Sequence, residues 1–213
     1  MIILAIDTST DYLSLAILKD GRLSAKFHKK THRRHSMLLV PTIGRLLKKA
    51  GLDIKEIDAF AVSSGPGSFT GLRIGVTVVK GFAYALKKKI VAVPTLDVIA
   101  DNAKSFKGII CPVLDARKNK IYACIYKSDG KTVKKISRYL LLGLEELLKR
   151  LSKYDKVTFL GDTGKNDFDK DWHPRAQVVA KLAAGYCKDK KFVKARDLEP
   201  LYLYSRECDI TGK

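Results

Sequence analysis

The sequence predicts an α/β protein with mixed sheets flanked by helices, and three observations carry that prediction. Three apolar runs joined by short polar turns open the chain, helical and strand-like patterns then alternate, and a second strand-rich stretch follows Pro94. With 213 residues, 46% of them hydrophobic, the chain can build one sizeable domain or two small lobes.

Ile2 to Asp7 and Tyr12 to Leu18 read as strands joined by Thr8-Ser9-Thr10-Asp11, and Asp20-Gly21 turns the chain into a third, Arg22 to Phe27. A helix is expected over Met37 to Ala50, closed by Gly51 at its C-terminal end. A strand at Ala59 to Val62, a helix from Gly71 to Leu86 and a strand at Ile90 to Val93 complete a ribonuclease-H-like lobe, residues 1–100. A smaller lobe, residues 101–213, is expected after the helix Leu96 to Ala103. Its strands are Ile109 to Leu114, Ile121 to Tyr126 and Lys156 to Leu160, with Thr132 to Tyr139 as an added strand. Leu144 to Leu151 and Ala176 to Lys188 are its helices, and an extended segment, Leu198 to Leu203, packs back on the first lobe.

No apolar run approaches a membrane span, and Met1 to Ala5 reads as a strand rather than a signal peptide. Cys111, Cys124, Cys187 and Cys208 are far apart, without a Cys-x-x-Cys pair, which suits reduced thiols in a cytoplasmic protein. The net charge of +19 (41 Lys+Arg, 22 Asp+Glu) favours a polyanionic partner such as RNA, and equally fits a solvated lysine-rich surface. His28, His32 and His35 have a spacing that could place two imidazoles one helical turn apart, yet four cationic side chains interleave them and no carboxylate is near. Lys29, Lys30, Arg33 and Arg34 read instead as a basic patch able to meet phosphate.

The run Ser63-Ser64-Gly65-Pro66-Gly67-Ser68-Phe69-Thr70-Gly71-Leu72-Arg73-Ile74-Gly75 is a strand end, a glycine-rich turn and a helix start. Free N–H groups at a helix start attract anions. The P-loop, dinucleotide and nucleophile-elbow patterns nevertheless all fail here: no lysine follows the glycines until Lys80, Thr70 stands where a third glycine is needed, and Ser68 directly follows Gly67. A turn shaped by packing alone accounts for the run equally well.

That run resembles the signature of the TsaB (YeaZ) family. Ile6-Asp7-Thr8-Ser9, His35-Ser36 with Leu39 and Pro41, Pro94-Thr95-Leu96-Asp97, Asp115-Ala116-Arg117-Lys118 with Tyr122, and Pro200 with Tyr202-Leu203 match the family in its order. Met37, where Glu commonly follows His-Ser, and Gly161-Asp162-Thr163-Gly164, where Gly-Asp-Gly is usual, depart from it. The resemblance implies two ribonuclease-H-like lobes of the actin/hexokinase/Hsp70-like (ASKHA) fold. It also implies a non-catalytic scaffold that binds and activates TsaD for threonylcarbamoyl transfer to the adenosine beside the tRNA anticodon. TsaD, TsaE, tRNA through the complex, and a second copy of the chain are the implied partners, with ATP or ADP at an interface with partners rather than in the isolated chain.

TsaD carries a His-x-x-x-His metal pair on the helix into its second lobe, and the comparable stretch Leu96 to Ala103 has no histidine. No Ser/His/Asp set is visible either. The second reading is an ATPase or phosphotransferase using Asp7 and Asp162 with Mg²⁺; in a non-catalytic scaffold Asp7, Thr8, Ser9 and Asp162 would instead be a vestigial phosphate site. Asp115 to Lys118 read, from the residues alone, as a charged hairpin turn. For the partner surface the expectation falls on the two first-lobe helices, through Met37, Val40, Leu47, Gly71, Gly75, Val78, Val79 and Phe82. Gly71 and Gly75 would there admit another backbone.

Overall fold

β1 (Ile2–Asp7) is buried along nearly its whole length, because it has a strand on each side and helices above and below. β2 (Tyr12–Lys19) pairs with it antiparallel, and β3 (Arg22–Lys30) pairs antiparallel with β2 as an edge strand. β4 (Ala59–Gly65) lies parallel to β1 on its other side, and β5 (Lys89–Pro94) parallel to β4. The order β3-β2-β1-β4-β5 is the predicted ribonuclease-H-like sheet. The computed structural model describes residues 1–32, 34–164, 168 and 172–203.

Alternation along the strands divides the side chains between two cores. Leu4, Ile6, Leu13, Leu15, Phe60 and Val62 meet α1 (His35–Ala50) and α2 (Phe69–Leu86) on one face. Ile3, Ala5, Ala16, Ala59, Ala61 and Val91 meet α5 (Ala176–Lys188) on the other. α1 ends at Gly51 with φ 64°, a left-handed cap, as its sequence predicts. The 18 residues of α2 are long and apolar enough to cross a membrane, contrary to the expectation that no run is. Here its inward stripe, Leu72, Val76, Val79 and Ala83, is buried in the core.

α3 (Thr95–Asn102) leads to a second sheet centred on β6 (Lys107–Asp115). β11 (Val157–Asp162) runs parallel to β6, as β4 does to β1. The strand expected over Ile121 to Tyr126 divides into β7 (Ile121–Ala123) and β8 (Tyr126–Asp129), both antiparallel to β6. The ladder lapses between them because the Ser137 hydroxyl, not a backbone carbonyl, takes the Ile125 N–H at 2.9 Å. β9 (Val133–Lys135) and β10 (Leu140–Leu142) pair with the two halves, and α4 (Leu144–Leu151) covers Ile109, Cys111 and Val113. Antiparallel strands, then a helix and a parallel strand, thus follow one another in the order of the first sheet. Beyond β11 the described chain enters α5, which packs on the first sheet. The predicted extended segment at Leu198 forms no strand: Leu198 is buried in the first core, and the Leu201 N–H donates to the Ser64 carbonyl at 2.6 Å.

Candidate functional site

The C-terminal end of β1 meets the N-terminus of α2, and this junction holds the residues of the predicted phosphate site. Asp7, Thr8 and Ser9 are all buried there. The Asp7 carboxylate accepts the Ser9 N–H at 3.0 Å, the Ser9 hydroxyl at 2.9 Å and the Ser63 hydroxyl. Thr8 Oγ1 donates to the Gly71 carbonyl at 2.7 Å, and the Ser9 carbonyl accepts the Ser68 N–H at 2.7 Å. Ser68 caps α2 by accepting the Gly71 N–H.

Glycine is required at the contact itself. A Cβ at Gly67 would overlap the Ser9 carbonyl oxygen, one at Gly71 the Thr8 carbonyl oxygen, and one at Gly75 the Thr8 hydroxyl. The glycine-rich turn therefore lets this chain's own helix settle on its own β1–β2 turn. Two expectations are corrected together: the phosphate cradle is filled from within, and Gly71 and Gly75 serve an internal contact rather than a partner's backbone.

Burial pushes the Asp7 carboxyl up to about 6, against the opposing pull of the Ser63 and Ser9 hydrogen bonds. Asp162, at the end of β11, is half-buried and accepts the Gly164 N–H at 2.6 Å. Among the described residues no group of three His, Cys, Asp or Glu could hold a metal, and Asp7 has its oxygens engaged by hydroxyls and an N–H. The residues present do not fit Mg²⁺ between Asp7 and Asp162. Asp115 ends β6 as Asp7 ends β1, and its carboxylate accepts the Arg117 N–H at 2.9 Å. Arg117, Lys118 and Asn119 all take left-handed φ (65°, 50° and 57°), so the predicted hairpin turn is one left-handed turn of chain.

The helix-pair surface is redrawn by burial. Leu47 and Val79 lie in the first core, since both project toward the sheet, and so they cannot meet a partner. Val78 and Phe82 are half-buried, and Phe82 stacks on Phe60 with ring centroids 5.8 Å apart. Met37 and Val40 remain outward, 70% and 49% exposed. Pro41 and Gly44 of α1, with Thr77, Gly81 and Tyr84 of α2, are exposed too, and nothing lies within 4 Å of a Cβ built at Gly44 or Gly81. Tyr84, 83% exposed, was missed in the sequence. The spacing Thr77, Gly81, Tyr84 marks an outer helical stripe that could have found it.

Lys29 and Lys30 end β3 on the surface, and exposed Arg34 directly precedes α1. Arg33 lies outside the described residues, as does Cys208. The first turn of α1 has no acidic residue and Arg34 offers no capping hydrogen bond, so cations crowd the positive end of a helix dipole. An anion would relieve that repulsion. The histidines do not converge: His28 is exposed on β3, while His35 is buried with Nε2 3.2 Å from the Tyr12 carbonyl.

Comparison with known proteins places these features in a family context. A family model for TsaD, tRNA N6-adenosine threonylcarbamoyltransferase, matches residues 25–180. The tRNA threonylcarbamoyladenosine biosynthesis protein TsaB of Bacillus subtilis is 34% identical over 162 residues, 76% of this chain and 71% of that protein. Its counterpart of the same name in Escherichia coli is 35% identical over 131 residues, 61% of this chain and 56% of that protein. The structure of YeaZ from Pseudomonas aeruginosa superposes with a TM-score of 0.83 at 29% identity, covering 95% of this chain and 99% of that one.

Proposed function

This chain belongs to the TsaB family, and we propose from that premise that it acts in tRNA threonylcarbamoyladenosine biosynthesis as a non-catalytic subunit. Its task is to hold TsaD, the transferase, in a competent state within a cytoplasmic complex that TsaE also visits. The observation that carries the non-catalytic reading is the closed β1–β2 turn. Asp7, Thr8 and Ser9, which in an actin-like ATPase would face metal and phosphate, are buried and hydrogen-bonded under α2. A nucleotide could enter only by lifting the helix off that turn.

The association surface is the outer face of α1 and α2, with Met37, Val40 and Tyr84 as apolar anchors and Gly44 and Gly81 as points of close approach. Large apolar side chains this exposed on a cationic protein favour an interface. A second copy of the chain would use the same face, so self-association and TsaD binding compete. tRNA contact runs through Lys29, Lys30 and Arg34.

Co-purification with TsaD from the same organism tests this reading. Val40→Glu and Tyr84→Glu, both at exposed positions, should each lower TsaD affinity by about tenfold or more, with circular dichroism unchanged. Wild-type retention of TsaD by both variants would move the interface elsewhere. In parallel, calorimetry with Mg-ATP should detect no micromolar binding by the isolated chain. Such binding, abolished by Asp7→Asn, would sink the non-catalytic reading.

A further inference from the structure

A cleft of about 530 Å³ opens where the two sheets meet, outside the carboxyl ends of the parallel strands β4 and β5. That is a customary place for a ligand in α/β proteins, and the volume suits a small molecule. Its apolar lining comes from Ala92 and Pro94 of β5 and from Leu198 and Pro200 of the chain after α5. Two backbone bonds hold that later stretch in place: the Val193 N–H donates to the Ile90 carbonyl at 3.0 Å, and the Leu201 N–H to the Ser64 carbonyl at 2.6 Å. Two phenols complete the lining, Tyr139 from the connection between β9 and β10 and Tyr202 from the end of the described chain. Each is fixed by a residue that does not line the cleft. Tyr139 donates to Asp97 at 2.9 Å, and the Tyr202 hydroxyl accepts from Arg73 Nε at 3.1 Å.

Two polar groups are left over once these contacts are made. Ser64, only 7% exposed, lines the cleft, and its hydroxyl has no hydrogen-bond partner among the described residues. A nearly buried hydroxyl costs stability unless something bonds it, so packing alone is a poor reason to keep it. Glu199 also lines the cleft and is exposed. Asp197 pairs with Arg196 at 3.3 Å, whereas Glu199 has no ion-pair partner among the described residues. The chain carries 41 Lys+Arg, yet the described residues lining the cleft include none. A net charge of +19 repels small cations over most of the surface, and here the local field is reversed.

We propose that this cleft binds a small organic amine, its ammonium at Glu199, its apolar stem along Pro94 and Leu198, and a hydroxyl or carbonyl at its far end bonded by Ser64. An ammonium offers three donors and no acceptor, which suits an unpaired carboxylate beside phenol rings. A carboxylate or phosphate at that end would face Glu199 and Asp197 and is rejected. None of the described lining residues belongs to α1 or α2, so this site is separate from the association face proposed above.

The test follows backbone amide shifts of the full chain by nuclear magnetic resonance as aminopentanol, pentylamine, pentanediol or pentanoate is added. Aminopentanol should move the Ser64, Ala92 and Glu199 amides and bind about tenfold tighter than pentanediol, which lacks the charge. Pentanoate should not bind. Glu199→Gln should abolish the preference for amine over diol, and Ser64→Ala the preference for aminopentanol over pentylamine, each leaving the other preference in place. Because the Ser64 hydroxyl bonds nothing in the chain, its removal should leave the fold intact. Glu145→Gln, at an exposed carboxylate of α4 outside the cleft, should behave as wild type with all four compounds. Equal affinity for amine and diol, shifts that map away from the cleft, or the same loss in Glu145→Gln as in Glu199→Gln overturns the proposal. Failure of both amines to bind overturns it as well, and release of TsaD by Glu199→Lys would then mark the carboxylate as a protein contact.

Discussion

At the scale of single residues, Asp7 couples the closed turn to pH. Its carboxyl is raised from 3.8 to about 6 by desolvation, so the folded state binds its proton more tightly than the unfolded chain does. Stability from this group is therefore full below pH 4 and is lost as pH rises through 6, a change on the order of 3 kcal/mol. Asn in its place can keep the Ser9 and Ser63 hydrogen bonds without a charge to bury. Asp7→Asn should thus unfold at higher urea concentration than wild type at pH 7.5, with the gap closing toward pH 4.5. Identical pH profiles for the two proteins would mean that Asp7 is not buried as a lone carboxyl.

For the helices, the same residue type has opposite consequences on opposite faces. Gly71 meets the Thr8 carbonyl oxygen, and Gly44 and Gly81 meet nothing within 4 Å. Gly71→Ala should destabilise by about 1–3 kcal/mol, because backbone must move to admit the methyl group. Gly44→Ala and Gly81→Ala should each stabilise the isolated chain by about 1 kcal/mol, the usual advantage of Ala over Gly in a helix interior. If these two also give a partner helix its close approach, the more stable variants should bind TsaD less well. Thermal denaturation and pull-down, read on one preparation, separate the two effects.

Across the whole molecule, the two sheets are joined through α3. Asp97 Oδ1 accepts the Tyr126 hydroxyl at 2.5 Å and the Tyr139 hydroxyl at 2.9 Å, both from the second sheet. The phenol of Tyr186, on α5, lies within the field of the same Asp97 carboxylate. Burial, and next the Asp97 charge, pushes all three phenols up, which keeps them protonated as donors. Asp97→Ala should cost about 1–3 kcal/mol, since it strands the buried Tyr126 hydroxyl and the half-buried Tyr139 hydroxyl, which had a charged acceptor. Urea unfolding should show that loss, and a change below about 1 kcal/mol would remove Asp97 from the frame holding the sheets together.

The sequence alone determined the order of strands and helices in the first sheet, because local signals encode them. Apolar alternation, Asp20-Gly21 and the left-handed Gly51 each act within a few residues. It also carried the family, through landmarks spread along the chain. What it could not determine was which way a helix face points. Leu47, Val79, Gly71 and Gly75 have the composition of an interface, yet Leu47 and Val79 face the sheet, and the approach of Thr8, 63 residues away from Gly71, makes the two glycines internal. The break between β7 and β8 depends likewise on a Ser137 hydroxyl arriving from the loop after β9. The cleft was invisible for the same reason: Ser64, Tyr139 and Glu199 line it from three distant parts of the chain, a meeting that no local window of sequence contains.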